Sequence, residues 1–254
     1  MLVAERRKEI VKLIEEHQTV KVSELGKRFN VTEETIRRDL ESLEVEGKLL
    51  RTHGGAMKIA DSQWDLPHSH REILNKKEKM AIAKRAITHI HERDIIFLDA
   101  SSTTQYVAKF LPNMPLTVLT NSLQVCHELA SHNQIRIIST GGEFMESSMS
   151  FVGPLTLQTL EKYHVNKAFF SCKGIDANWG ISDSNELQAL VKNKVIGQAE
   201  KKYLLLDHTK MEKKTFAPIG KISDITTLIT DTLSNDHILD VYGLAGIEIV
   251  KAKV

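Results

Sequence analysis

Five short polar segments carry the residue types that could hold a phosphorylated, hydroxyl-rich ligand. Asp99-Ala-Ser-Ser-Thr-Thr104 offers a carboxylate and the four hydroxyls of Ser101, Ser102, Thr103 and Thr104. Thr120-Asn121-Ser122, Gly141-Gly142, Lys173-Gly-Ile-Asp176 and Asp207-His-Thr-Lys210 are the others. Hydroxyls beside the N–H groups of a starting helix make an anion site suited to phosphate. Lys210, and with it Lys173, supplies a cation, while Asp99, Asp176 and Asp207 can accept from sugar hydroxyls. Any one segment could be an ordinary turn, where Ser, Thr, Asp and Gly are common. Five of them, each after a strand-like run, point to one pocket.

A second set of residues suits nucleic acid. In the helical stretch TEETIRRDLESLEVE, Ile36, Leu40 and Leu43 fall within about 60° of one another and define a buried stripe. Arg38 projects opposite that stripe, Arg37 sits on a flank within reach of a phosphate, and Asp39 borders the stripe, placed to pair with a basic neighbour. Arginine is the bidentate partner of guanine O6 and N7, and threonine methyls can touch thymine. A charged helical face is also what any solvated helix shows, so the surrounding elements decide.

Those elements fit a DNA reader. Residues 4–16 place Ile10, Leu13 and Ile14 on one helical face. After the strand-like TVKV, Ser23 is the expected N-cap of a helix that buries Leu25 and Phe29. Asn30-Val31 makes a turn, Thr32 caps the next helix, and Gly47 is its natural C′ residue. Two helices across a tight turn form a helix-turn-helix, whose second helix would bring Thr32, Thr35 and Arg38 to the bases. KLLRTHGGAMK then reads as a β-wing with no acid, placing Arg51 and His53 near the phosphate backbone. Net charge gives no help. The whole chain carries +1, and residues 1–58 hold twelve Lys and Arg against eleven Asp and Glu.

Residues 59–75 lose periodicity around Pro67 and read as a linker, leaving domains at 1–58 and 76–254. Beyond the linker, strand-like IIFLD, LTVLT, IRIIS, AFFSC and YLLLD alternate with helical stretches such as LQVCHELA and ELQALVKNKVIGQAE. Alternation of this kind implies an α/β domain with a mostly parallel sheet covered on both faces. The polar segments follow its strands, where open α/β sheets bind ligands.

These residues resemble a known family. Arg6, Ile10 and Ile14, then T-E-E-T-I-R-R-D-L at 32–40 and R-T-H-G-G-A at 51–56, are similar to the DeoR-type winged helix-turn-helix. The remainder resembles that family's sensor domain, whose fold is similar to ribose-5-phosphate isomerase. The matching pieces are KMAIA from Lys79, FLDASSTT from Phe97, LTNS from Leu119, GGE from Gly141, FVGP from Phe151, GID from Gly174, GISD from Gly180, NE from Asn185, LDHTK from Leu206 and ITD from Ile229. The resemblance implies sugar-phosphate contacts by Asp99, Ser102, Thr103, Thr104, Asn121, Asp176, Glu186, Asp207 and Lys210. One departure is Ser101, where the family usually has Gly; it adds bulk and a hydroxyl to the loop.

The expected function is a DNA-binding transcriptional regulator, a repressor of a sugar-utilisation operon, whose hold on double-stranded operator DNA responds to a phosphorylated sugar. A homo-oligomer, dimer or tetramer, would match paired half-sites. The alternative is a sugar-phosphate isomerase with an accessory DNA-binding domain, since a carboxylate base and a polarising cation are both in the inventory. A scaffold using its helix-turn-helix for protein contacts is disfavoured by the Gly-Gly wing. Cys126 and Cys172 stand alone with no CxxC spacing, so neither a disulfide framework nor a metal is expected, and no cofactor. No apolar run approaches the roughly 18 residues of a membrane span, and MLVAERRKEI turns charged too early for a secretory signal. A cytoplasmic location away from any membrane is the expectation.

Overall fold

The computed structural model describes residues 2–52, 54–58 and 66–254; His53 of the expected wing and residues 59–65 of the expected linker lie outside the described residues. The chain divides into two compact units, Met1–Ser62 with Ser69–Lys76, and Gln63–His68 with Lys77–Val254.

The first unit contains α1 (Val3–His17), β1 (Thr19–Lys21), α2 (Val22–Phe29), α3 (Glu33–Val45), β2 (Leu50–Thr52) and β3 (Gly55–Met57). Its three helices each contribute one apolar stripe to a common core: Ile10, Leu13 and Ile14; Val22 and Leu25; Ile36, Leu40 and Leu43. Thr32 caps α3 by accepting the Thr35 N–H at 3.2 Å. At the other end Gly47 adopts φ +70°, and the Lys48 N–H returns to the Leu43 carbonyl.

The start of α2 differs from expectation. Ser23 lies inside the helix, which begins directly after β1. The reason is a contact with the wing. The Val22 N–H, an orphan at a helix start, donates to the Gly54 carbonyl of the wing at 2.9 Å. The wing is the antiparallel pair β2–β3, with β1 added on the far side of β3. A Cβ on Gly55 would lie 1.9 Å from the Val20 carbonyl oxygen, so only glycine lets β3 close against β1.

Within the stretch read as a linker, the structure has a six-residue helix, α4 (His68–Ile73). Six residues are too few to register as helical periodicity. His70 approaches the buried Glu44 of α3 at 3.9 Å.

The second unit runs α5 (Lys76–Ile87), β4 (Ile95–Leu98), α6 (Ser102–Phe110), β5 (Leu116–Thr120), α7 (Leu123–Leu129) and β6 (Ile135–Ser139). It continues with β7 (Glu143–Met145), β8 (Ser150–Val152), α8 (Pro154–Glu161), β9 (Lys167–Phe170), β10 (Gly174–Asp176), β11 (Gly180–Asp183) and α9 (Glu186–Gln198). Last come β12 (Lys201–Leu206), β13 (Ala217–Gly220), β14 (Thr227–Asp231), α10 (Asp236–Gly243) and β15 (Glu248–Ala252).

Seven strands form a wholly parallel sheet in the order β15-β14-β12-β9-β4-β5-β6. Alternate residues feed two cores. Phe97, Ala168, Phe170, Leu204 and Leu206 face one side, and Ile96, Leu98, Phe169, Tyr203 and Leu205 the other. Burial on both faces explains why these strands read as continuous apolar runs. Building begins at β4, moves outward through β5 and β6, then returns across β4 to β9. The β4–β9 boundary is therefore the topological switch point, where the loops after two neighbouring strands part and leave a crevice. Two smaller antiparallel sheets, β7–β8 and β10–β11–β13, complete the unit.

Candidate functional site

The switch point gathers a buried polar network. Asp99, directly after β4, is 1 % exposed. Its Oδ1 accepts from the Ser101 N–H at 3.1 Å and the Thr104 hydroxyl at 2.8 Å. Its Oδ2 accepts from the Ser171 N–H, after β9, at 3.2 Å. The Ser101 hydroxyl caps α6 by accepting the Thr104 N–H at 3.2 Å. Ser101 is thus a helix N-cap, which accounts locally for a hydroxyl residue where the resembled family usually has Gly.

From Ser171 the network crosses to β12. Lys210 Nζ donates to Ser171 Oγ at 2.9 Å and stands 3.8 Å from Asp207 Oδ2. Burial disfavours ionised Asp207, yet the charges of Lys210 and then Lys79, with a bond from Thr209, outweigh it and hold its pKa low. On the other side Lys192, from α9, pairs with Asp183 and lies 3.6 Å from Asp99 Oδ2. Burial opposes both charges of the Lys192–Asp183 pair. Their mutual attraction prevails, so the Asp183 pKa is lowered and that of Lys192 raised. Cys172, enclosed beside this pair, is pushed up to about 12, chiefly by burial.

Two buried polar atoms near the helix start lack a hydrogen-bond partner among the described residues: Thr103 Oγ1 and Asn121 Oδ1. Thr103 is in the first turn of α6, and Asn121 follows β5, the strand beside β4. The Thr120 hydroxyl ties that second loop to the Leu98 carbonyl at 2.6 Å. A buried acceptor or hydroxyl left open is costly unless a ligand or water completes it.

The expected site residues therefore fall into groups. Asp99 and Ser101 lie between β4 and α6, Ser102, Thr103 and Thr104 in the first turn of α6, Asn121 after β5, and Asp207 and Lys210 after β12, the strand beside β9. Ser122 caps α7 through the Val125 N–H, and Gly141 and Gly142 fold back on α8, where the Thr156 hydroxyl donates to the Gly141 carbonyl at 2.6 Å. Lys173 is half-buried, its N–H on the Ser182 carbonyl, and its charge helps hold Asp183 ionised. Asp176 spends its Oδ1 on the Asn178 and Trp179 N–H groups of its own hairpin turn, with Lys214 at 3.7 Å. Glu186 is exposed at the first position of α9.

Sequence reasoning passed over Ser171, Asp183 and Lys192. Lys192 left a signal. It shares the buried stripe of α9 with Gln188, Ala189, Val195 and Ile196, where a lysine is out of place unless paired.

In the first unit, Arg38 is 76 % exposed and only loosely drawn to Glu34 at 3.4 Å. Arg37 bonds Glu33 at 2.8 Å on the surface. Thr32 and Thr35 share a hydroxyl contact of 2.9 Å at the start of α3. Asp39 is buried and accepts from Arg6 at 2.6 Å and Arg7 at 3.0 Å, so α1 fixes the rotation of α3. Leaving either charge of the Arg6–Asp39 pair alone would cost about 3–5 kcal/mol. Arg51 anchors the wing through its N–H, which donates to Glu44 at 2.9 Å.

Among the described residues no helix is long and apolar enough to cross a membrane. No group of three or more His, Cys, Asp or Glu among them could hold a metal ion.

Comparison with known proteins agrees with both halves. Residues 6–62 match the DeoR-like helix-turn-helix domain, and residues 74–232 match the DeoR C terminal sensor domain. The uncharacterized HTH-type transcriptional regulator YulB of Bacillus subtilis (strain 168) is 49% identical over 91% of this chain and 90% of its own length. The L-fucose operon activator of Haemophilus influenzae is 36% identical over 90% and 92%. The lactose phosphotransferase system repressor of Streptococcus mutans is 35% identical over 92% and 94%. Among solved structures, ribose 5-phosphate isomerase A from Methanocaldococcus jannaschii aligns at 16% identity and a TM-score of 0.41, over about half of either chain (55% and 56%). With a capped recognition helix, a glycine-closed wing and a sensor-domain match over more than half its length, this chain belongs to the DeoR family of helix-turn-helix transcriptional regulators.

Proposed function

We propose that this regulator controls a sugar-utilisation operon as a repressor, releasing operator DNA when a phosphorylated sugar enters the crevice at the switch point. The observation that carries the reading is the start of α6. Its first-turn donors, the open Thr103 hydroxyl and the nearby Lys210 suit a phosphate, while Asn121 Oδ1 suits a sugar hydroxyl. Thr32, Thr35 and Arg38 read the bases, and Arg37, Arg51 and His53 approach the backbone. Relatives at nearly equal identity include an activator and a repressor, so the direction of the response is a matter for the assay.

The same crevice argues for binding without turnover. An isomerase needs a carboxylate free to take a proton from carbon. Here the buried carboxylates are engaged, Asp99 on both oxygens, Asp183 by Lys192 and Asp207 by Thr209 and Lys210, which leaves the exposed Glu186 as the carboxylate for the assay to test. Two copies meeting a paired operator in the cytoplasm complete the proposal. The test is binding of the purified protein to its own upstream DNA, titrated with phosphorylated and free sugars. Release or recruitment by one phosphorylated sugar, with the free sugar inert, is expected. Indifference to all of them would remove the effector half. Sustained sugar-phosphate turnover, abolished by Lys210→Ala or Glu186→Ala, would restore the enzyme reading.

A further inference from the structure

We infer that Lys192 is a positioning residue of the crevice: its buried ammonium, set between Asp183 and Asp99, holds the Asp99–Thr104 loop in its ligand-ready form. The inference rests on the crevice being the effector site, and it adds a residue that reaches the site from outside the strand-end loops.

Lys192 is 6 % exposed, on the face of α9 that packs against the sheet. Its ammonium meets two carboxylates from different elements, Asp183 at the end of β11 and Asp99 after β4. Asp99 in turn fixes the loop through the Ser101 N–H and Thr104 hydroxyl, and fixes the facing strand through the Ser171 N–H. One cation thereby links α9, the small antiparallel sheet and both walls of the switch point.

Charge makes the arrangement consequential. Two carboxylates this close, enclosed in protein, repel one another unless a cation stands between them. A buried lysine is costly by itself, and an apolar residue would serve mere packing equally well. The presence of a lysine here is explained by what it holds. Lys192 stands 3.6 Å from Asp99, beside the hydrogen bonds that Asp99 accepts from Ser101, Thr104 and Ser171, so it acts on the loop by neutralising the carboxylate that those bonds converge on.

Lys192→Met alone strands two buried carboxylates, so the working variant is Lys192→Met/Asp183→Asn, which removes one charge of each sign. In the full-length protein we expect it to remain folded, by circular dichroism and melting temperature, and to bind operator DNA as the parent does without ligand. Calorimetric titration uses D-fructose 1-phosphate, D-glucose 6-phosphate, D-ribose 5-phosphate and inorganic phosphate. Affinity for whichever the parent binds is expected to fall at least tenfold in the variant. Asp99→Asn should cost less affinity in the variant than in the parent, because Lys192 acts through Asp99; independent contributions would multiply the losses instead. Unchanged affinity in the folded variant, or losses that multiply, would overturn the inference while leaving the effector site standing. A parent protein that binds none of the four would bring down both.

Discussion

Arg38 and Asp39 are neighbours in sequence with opposite fates. Arg38 is solvent-exposed and weakly held, free to seek a base; Asp39 is locked under two arginines of α1. Arg38→Ala is expected to lower operator affinity by tenfold or more, the scale of one bidentate base contact at about 1–3 kcal/mol, with melting temperature and ligand binding unchanged. Equal operator affinity in a gel-shift or anisotropy titration would show that α3 reads DNA through other residues. In the crevice, protonation states are set by pairing. Asp183 and Asp207 have lowered pKa values, so their stabilisation is complete above the unfolded value of about 3.9 and is lost as pH falls through the folded one. Lys192 is raised, so its contribution is complete below about 10.4 and is lost as pH climbs past its folded value. Thermal midpoints should therefore show no loss from this cluster between about pH 5 and 9, and a decline on the acid side below about pH 4. Cys172, pushed up to about 12, remains a thiol at pH 8 and should resist iodoacetamide until the protein is unfolded.

The elements show what sequence can and cannot disclose. Gly55→Ala places a methyl into the Val20 carbonyl, and we expect it to open the β1–β3 pairing, lower the melting temperature of the DNA-binding unit and weaken operator binding. Chemical-shift or hydrogen-exchange data on Val20–Val22 would detect the change; unaltered protection there would refute it. The helix-turn-helix was legible because its signals are local: Thr32 three residues before Thr35, an Ile36–Leu40–Leu43 stripe, Gly47 at the stop. The five strand-like runs were legible because parallel strands buried on both faces lose their polar residues. Ser23 misled because β1 leads straight into α2, whose first N–H, that of Val22, is taken by the Gly54 carbonyl, a contact 32 residues away in the chain. The partners of Asp99 were equally hidden. Ser171 lies 72 residues downstream and Lys192 further still, and only the return of β9 beside β4 brings them together.

At the scale of the molecule, each unit has an apolar core of its own, Ile10 through Leu43 in one and the two faces of the seven-stranded sheet in the other. Calorimetry is expected to resolve two unfolding transitions. A phosphorylated sugar that occupies the crevice should raise only the transition of the sensor unit, by mass action on its folded form. Elevation of both by the ligand would mean that the units unfold as one. A regulatory response further requires that the ligand bind the DNA-competent and DNA-incompetent states with different affinity.

The Ser101 cap has a consequence for how such a difference can arise. Where a glycine would leave the loop many conformations, the Ser101 hydroxyl and the Asp99 carboxylate have already tied Ser101 and Thr104 in place. A ligand arriving there forfeits little entropy in ordering the loop, so its binding heat should report contacts made more than chain frozen. A loop already set works as a gauge, measuring each ligand against a fixed shape. The movement that tells the DNA-binding unit of a match must then begin elsewhere in the sensor.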